Sequence, residues 1–138
     1  MKKKISILGS TGSIGLTTLT IIGKMKNIFK INILLANKNY KNISNQIKKY
    51  KPEYFIIKDK KVFLKIKKKF KKNKVKILNN LNISINQKKS DITVSAIPGI
   101  AGLEPTIQMT QLSKKILLAN KESIICGWNL IRNAAKKK

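Results

Sequence analysis

The chain has 138 residues, 42% of them hydrophobic, long enough for one core and too apolar for a disordered segment. It carries 31 basic and 5 acidic residues, a formal net charge of +26, no histidine and one cysteine, which excludes an internal disulfide. No apolar run approaches the roughly 18 residues of a membrane-spanning helix, and the MKKK start leads into a glycine turn with no signal-peptide cleavage site. A reducing, cytoplasmic location without membrane attachment is therefore expected.

The charge attracts polyanions, so nucleic acid is a candidate partner. Only Arg132 among the basic residues is arginine, the side chain whose fork reads phosphates and bases. The chain is also rich in asparagine and isoleucine. Lys, Asn and Ile share A/T-rich codons, so genomic base composition accounts for the lysines, and no specific nucleic acid is expected. A lysine-coated nucleic-acid binder is the competing reading.

In chain order, KISIL (4–8) predicts a buried strand. From Ser13 the period becomes helical, with Ile14, Thr18, Ile21, Ile22 and Met25 expected on the inner face. INILLA (31–36) predicts a second strand, and 40–50 a helix with Ile43, Ile47 and Tyr50 inward, ended by Pro52. EYFII (53–57) is a third strand. Asp59 can cap the next helix, whose stripe is Val62, Phe63, Ile66 and Phe70. The lysines of 65–76 then form its solvated faces. VKIL (75–78) is a short fourth strand, and the Asn- and Lys-rich 79–90 reads as loop.

DITVSAI (91–97) predicts a fifth strand, closed by Pro98-Gly99. A helix follows from about Pro105, since proline suits a first helical turn. KILLA (115–119) is a sixth strand. Asn120 can cap a last helix, with Glu122 in its first turn and Ile124, Trp128, Ile131 and Ala135 expected inward. Cys126 is expected as a small buried apolar residue on that helix. Continuous apolar strands alternating with helices predict an α/β fold, a doubly wound Rossmann-like parallel sheet with helices on both faces. Its ligand crevice lies at the carboxyl ends of the strands.

The first of those turns is Gly9-Ser10-Thr11-Gly12-Ser13-Ile14-Gly15. Glycine lets the backbone turn tightly and approach a pyrophosphate, and the following helix offers free N–H groups. The spacing is GxxGxxG, not the strict GxGxxG fingerprint, and no Walker lysine follows. After the second strand stands Ala36-Asn37-Lys38-Asn39, without the carboxylate that binds an NAD ribose. Lys38 instead suits a 2′-phosphate, which favours NADP(H). The small residues of Ala96 to Gly102 suit a nicotinamide or simply a tight turn. Ala119-Asn120-Lys121-Glu122-Ser123 places a polar cluster at a strand end; it suits cofactor and substrate oxygens, or serves as a helix cap.

GSTGSIG, ANKN and LLANKES, in that order and at those strand ends, resemble the 1-deoxy-D-xylulose 5-phosphate reductoisomerase family over the whole chain. The resemblance implies NADPH-dependent isomeroreduction of that sugar phosphate to 2-C-methyl-D-erythritol 4-phosphate, in isoprenoid biosynthesis. It implies NADPH contacts from Gly9, Thr11, Gly12, Ser13 and Ile14 to the pyrophosphate, and from Asn37, Lys38 and Asn39 to the 2′-phosphate. Asn120 and Glu122 would also contact NADPH, and Lys121 the substrate. The family has glycine where Asn37 stands, so a left-handed turn there is expected to rely on asparagine. Pro98 replaces a usual aliphatic residue. The family's divalent metal, Mg or Mn, is held by carboxylates beyond LLANKES. The five acids here, Glu53, Asp59, Asp91, Glu104 and Glu122, are not expected to build that site. Residues 1–138 are thus expected to be the NADPH-binding domain of a longer, homodimeric reductoisomerase, inactive by itself. Another NADP-dependent oxidoreductase of the same fold is the milder alternative.

Overall fold

The computed structural model describes residues 1–83 and 89–137. Six strands and five helices follow one another as β1 (Lys3–Leu8), α1 (Ser13–Lys24), β2 (Phe29–Ala36), α2 (Tyr40–Tyr50), β3 (Tyr54–Ile57), α3 (Lys60–Lys69), β4 (Lys76–Leu78), β5 (Ser90–Ser95), α4 (Leu103–Leu112), β6 (Ser113–Leu118) and α5 (Lys121–Lys136). A single 3-10 turn, Ile100–Gly102, leads into α4. All pairings are parallel, in the order β4-β3-β2-β1-β5-β6. The chain runs outward from β1 to β4, then returns to place β5 on the other side of β1. The switch point of the sheet therefore lies between β1 and β5, the crevice position of doubly wound sheets.

The core forms two layers. Ile7, Leu34, Phe55 and Ile57 meet Leu19 and Ile22 of α1, Ile43 and Ile47 of α2, and Ile66 of α3 on one face. Leu8, Ile33, Leu35 and Ile56 meet Leu81 and, from α4, Met109 and Leu112 on the other. α5 rests on α4. The doubly wound sheet covered on both faces is as the sequence predicts. Among the described residues no helix is long and apolar enough to cross a membrane.

The β1–β2 register shifts by one residue between Ile5 and Ile7. Ser6 Oγ accepts the N–H of Ile33 there (3.1 Å) and pairs with Ser90 Oγ (2.6 Å), which also accepts from Asn32 Nδ2 (2.8 Å). The bulge is thus filled by side chains rather than left open.

The helix ends follow their sequence signals. Asp59 Oδ1 caps α3 through Val62 N–H (2.9 Å), and Asn39 Oδ1 caps α2 through Asn42 N–H (3.1 Å). Lys51, at φ 47°, turns the chain out of α2 just before Pro52. The lysines of α3 and of 71–74 are exposed, as a solvated face requires. Segment 79–90, expected as loop, has no regular element over 79–83, and residues 84–88 lie outside the described set.

Three expectations are corrected. α1 buries Gly15, Leu19 and Ile22, while Ile14, Ile21 and Met25 are 45%, 54% and 37% exposed. Gly15 sets this rotation: a Cβ there would overlap the Gly9 carbonyl oxygen and stand 2.8 Å from Ser10 Cα, so this side of the helix must face the turn. α5 likewise buries Ser123, Gly127 and Ile131, leaving Ile124, Trp128 and Ala135 exposed. A Cβ on Gly127 would run into the Leu103 side chain, so close approach again fixes the phase. Cys126, beside that contact and not in it, is exposed.

Candidate functional site

The turns singled out in the sequence sit side by side. In the order β2-β1-β5-β6 their loops form one row along the carboxyl rim, at strand spacings of about 4.8 Å.

The glycine turn is hung between its neighbours. Gly9 and Ser10 N–H both donate to Leu35 O at the end of β2 (2.8 and 3.0 Å). Gly9 has φ 83°, and a Cβ there would stand 2.8 Å from Ala96 O at the end of β5. Left-handed backbone and close approach together make any other residue strained at this position. Gly12 is the N-cap of α1 and no side chain caps the helix. A Cβ on Gly12 would meet only Gly9 O, at 3.6 Å, so the space in front of the helix is open. Ser13 and Ile14 are exposed on the first turn, and Thr11 is half-buried. Their N–H groups belong to the set that has no intrahelical partner. An open, uncapped helix start at a strand end fits the pyrophosphate of a dinucleotide.

At the end of β2, Asn37, Lys38 and Asn39 are exposed. The turn is anchored from β3: Lys58 N–H donates to Ala36 O (3.0 Å) and Asp59 N–H to Asn37 O (3.3 Å). Asn39 is committed as the α2 cap, leaving its amide nitrogen outward-capable and its oxygen used. Lys51 is the only non-glycine residue with positive φ among those described, so Asn37 is not left-handed. The expectation that this turn leans on asparagine's tolerance is corrected. The bonds from the β3 turn hold it instead.

At the β5 and β6 ends the structure gives Asn120 a specific task. It is 4% exposed. Its Nδ2 donates to the carbonyls of Ile97 and Gly99 (the latter at 2.9 Å), and its Oδ1 accepts Glu122 N–H (2.9 Å) and Ser123 N–H (3.3 Å). Both donors and both acceptor positions of the amide are thereby taken within the chain. The side chain therefore keeps no free donor for a ligand. Gly102 makes this clasp possible, because a Cβ there would stand 2.6 Å from Asn120 Nδ2. Pro98 is exposed between the two accepting carbonyls. Lys121 is exposed and Glu122 half-buried at the start of α5, on the same rim.

Sequence reasoning placed Gly102 only in a run of small residues and missed Gln46. Gln46, two turns into α2 and 3% exposed, donates from Nε2 to Ser10 O (2.9 Å). Its long polar side chain beside Ile43 and Ile47 on the inner face of α2 was the available signal.

A wide hollow lies elsewhere. About 1060 Å³ opens at the amino ends of the strands, lined by Lys3, Lys4, Lys30, Lys76, Lys114 and Asp91 among others. Lys114 Nζ pairs with Asp91 Oδ1 (2.7 Å) and Lys4 Nζ with Glu53 Oε2 (3.1 Å). The Lys114 hydrogen bond first, then that from Lys4 N–H, holds the Asp91 carboxyl below the usual carboxylate range. This hollow carries no glycine turn and no helix start. Strand direction, rather than size, places the ligand crevice at the other end. Among the described residues no three His, Cys, Asp or Glu side chains come together to hold a metal.

Comparison with known proteins agrees with this geometry. Residues 5–127 match the family model described as 1-deoxy-D-xylulose 5-phosphate reductoisomerase. The chain belongs to that family. The reductoisomerase of Pelagibacter ubique is 46% identical over 140 residues, covering 98% of this chain and 36% of the relative. That of Buchnera aphidicola subsp. Schizaphis graminum is 46% identical over 132 residues, covering 91% and 33%. Among solved structures, the Zymomonas mobilis reductoisomerase in complex with NADPH superposes with a TM-score of 0.87 at 27% identity, over 99% of this chain and 37% of that one. A reductoisomerase in complex with NADPH, fosmidomycin and magnesium gives 0.86 at 30% identity, over 98% and 34%. The chain thus spans 36% and 33% of the lengths of those two curated reductoisomerases.

Proposed function

We propose that residues 1–138 form the NADPH-binding domain of a 1-deoxy-D-xylulose 5-phosphate reductoisomerase, serving isomeroreduction to 2-C-methyl-D-erythritol 4-phosphate. The observation that carries this is the uncapped start of α1 behind Gly12, open to the rim and flanked by the Lys38 turn. NADPH, when bound, supplies the hydride. This chain's share is binding and orientation. Thr11, Ser13 and Ile14 present backbone N–H groups and the positive helix end to the pyrophosphate, while Gly12, whose own N–H donates to Gly9 O (3.3 Å), keeps the approach free of a side chain. Lys38, with Asn37 and Asn39, meets the 2′-phosphate and sets the preference for NADPH over NADH. Gly9 supports this by fixing the turn against β5. Asn120 holds the β5 turn against the start of α5, so that Glu122 faces the nicotinamide half and Lys121 the substrate phosphate.

A hard divalent cation needs several oxygen donors, and the described residues gather no such set. Metal binding is therefore assigned to no residue of this chain. A homodimer and a cytoplasmic location belong to the same proposal, to be checked by sedimentation and cell fractionation.

The test is a titration of the chain with NADPH and NADH, followed by nicotinamide fluorescence. Saturable binding that favours NADPH is expected. Lys38→Ala should weaken NADPH about tenfold, the loss of one charge-assisted phosphate contact, and leave NADH unchanged. A folded chain that binds neither nucleotide would overturn the proposal.

A further inference from the structure

Ser10 is wholly buried under the glycine turn. Its N–H is held by Leu35 O, and its Cα lies under Gly15. Its carbonyl is held by neither β2 nor α1. Among the described residues Gln46 of α2 is the one that reaches it, through Nε2 at 2.9 Å. The assignment of nitrogen and oxygen is forced, since the reversed amide would set two oxygens against each other.

The rest of this contact is unsatisfied. Gln46 Oε1 and Ser10 Oγ are both buried and have no partner among the described residues. Unpaired buried polar atoms are costly, and an apolar side chain of the same shape would avoid the cost. A glutamine that only filled space here would be a poor choice. What the amide adds is direction: it fixes the Ser10 peptide, and through it the orientation of the next N–H groups in the turn, those of Thr11 to Ser13. Gln46 also lies on α2, the helix that Asn39 caps, two turns from the Lys38 turn.

We propose that Gln46 is a positioning residue for the cofactor: its amide presets the glycine turn for the pyrophosphate from beneath, without touching the ligand. This rests on the NADPH reading above. It makes Gln46 indifferent to the 2′-phosphate and essential to whatever NADPH and NADH share. Lys38 is its opposite, serving the 2′-phosphate alone.

The experiment compares wild type, Gln46→Leu and Gln46→Met as full chains, with three probes: NADPH, NADH and adenosine 2′-monophosphate. Both variants keep the bulk of the side chain and remove the donor, so the result does not hang on one of them folding. Each is measured well below its melting temperature. The expected result is an approximately tenfold loss for NADPH and the same loss for NADH, with adenosine 2′-monophosphate unchanged. Affinities equal to wild type for all three probes, even with a lowered melting temperature, would make Gln46 merely structural and overturn the proposal. So would an equal loss for all three, which reports general loosening. A wild-type chain that binds neither dinucleotide overturns the cofactor reading itself, and this role with it. Wild-type binding that survives in the variants overturns only the role of Gln46.

Discussion

At the carboxyl ends of β2, β1, β5 and β6 the chain presents glycines, asparagines and the starts of four helices. At the amino ends it presents Lys3, Lys4, Lys30 and Lys114 around a hollow of about 1060 Å³. The helices run antiparallel to the strands, so their negative ends meet this second rim, and each of α1, α2 and α3 carries lysine in its last turn. Much of the lysine at the amino end is therefore complementary to helix dipoles and solvated. At the carboxyl end the positive potential comes from backbone N–H groups fixed in direction, with few side-chain charges. A cationic hollow attracts anions in general; a row of oriented donors binds one shape. That difference is why the smaller, less charged end is read as the site.

The comparison breaks most sharply at Gly15. Gly15→Ala places a Cβ on the Gly9 carbonyl. We expect a loss of about 3 kcal/mol in denaturant unfolding, at the upper end of overpacking costs, and no measurable NADPH binding. A stable, binding variant would mean that the turn does not organise the carboxyl rim. Next is Asn120→Ala, which removes a cap and leaves the carbonyls of Ile97 and Gly99 without their donor. About 2 kcal/mol should be lost. Asn120→Asp keeps the accepting oxygen for Glu122 and Ser123 but sets its second oxygen against the carbonyls of Ile97 and Gly99, so it should lose at least as much.

The amino rim should respond in the opposite way. Replacing Lys3, Lys30 and Lys76 together by glutamine should leave NADPH affinity unchanged. It should raise stability by about 1 kcal/mol at low ionic strength, a gain that vanishes near 1 M salt, as self-repulsion is screened. A loss of NADPH binding in this variant would move the site to the wrong end of the sheet. The smallest effect is at Asp91. Its folded-state carboxyl titrates below the unfolded one. It therefore contributes stability above pH about 4, and this is lost as pH falls through the folded-state value. Asp91→Asn should cost less than about 1 kcal/mol at pH 7, and that cost should shrink as pH falls through the folded-state value. A pH-independent cost, read from denaturation midpoints, would mean that the Lys114 pair is irrelevant.

Most of the fold was legible in the sequence. Apolar runs such as EYFII and INILLA mark buried strands because a parallel sheet covered on both faces leaves no polar side. Asp59 and Asn120 mark helix starts because their side chains satisfy the free N–H groups that any helix start exposes. The rim positions of GSTGSIG, ANKN and ANKES followed from strand direction alone. The rotations of α1 and α5 were not legible. Counting apolar residues favoured Ile14, Ile21, Ile124 and Trp128, but Gly15 and Gly127 press against Ser10 and Leu103 and turn those side chains outward.

The sequence by itself determined the order of elements, the glycine turn and the row of candidate residues, because these depend on local periodicity, capping and chain direction. Tertiary structure alone decided which of those residues are free to meet a ligand. The Asn120 amide is spent on Ile97, Gly99, Glu122 and Ser123, and Ser10 is held by Gln46, 36 residues away in sequence. The bonds to Ile97, Gly99 and Ser10 join segments that only the folded sheet brings together, whereas the cap from Asn120 to Glu122 and Ser123 is local.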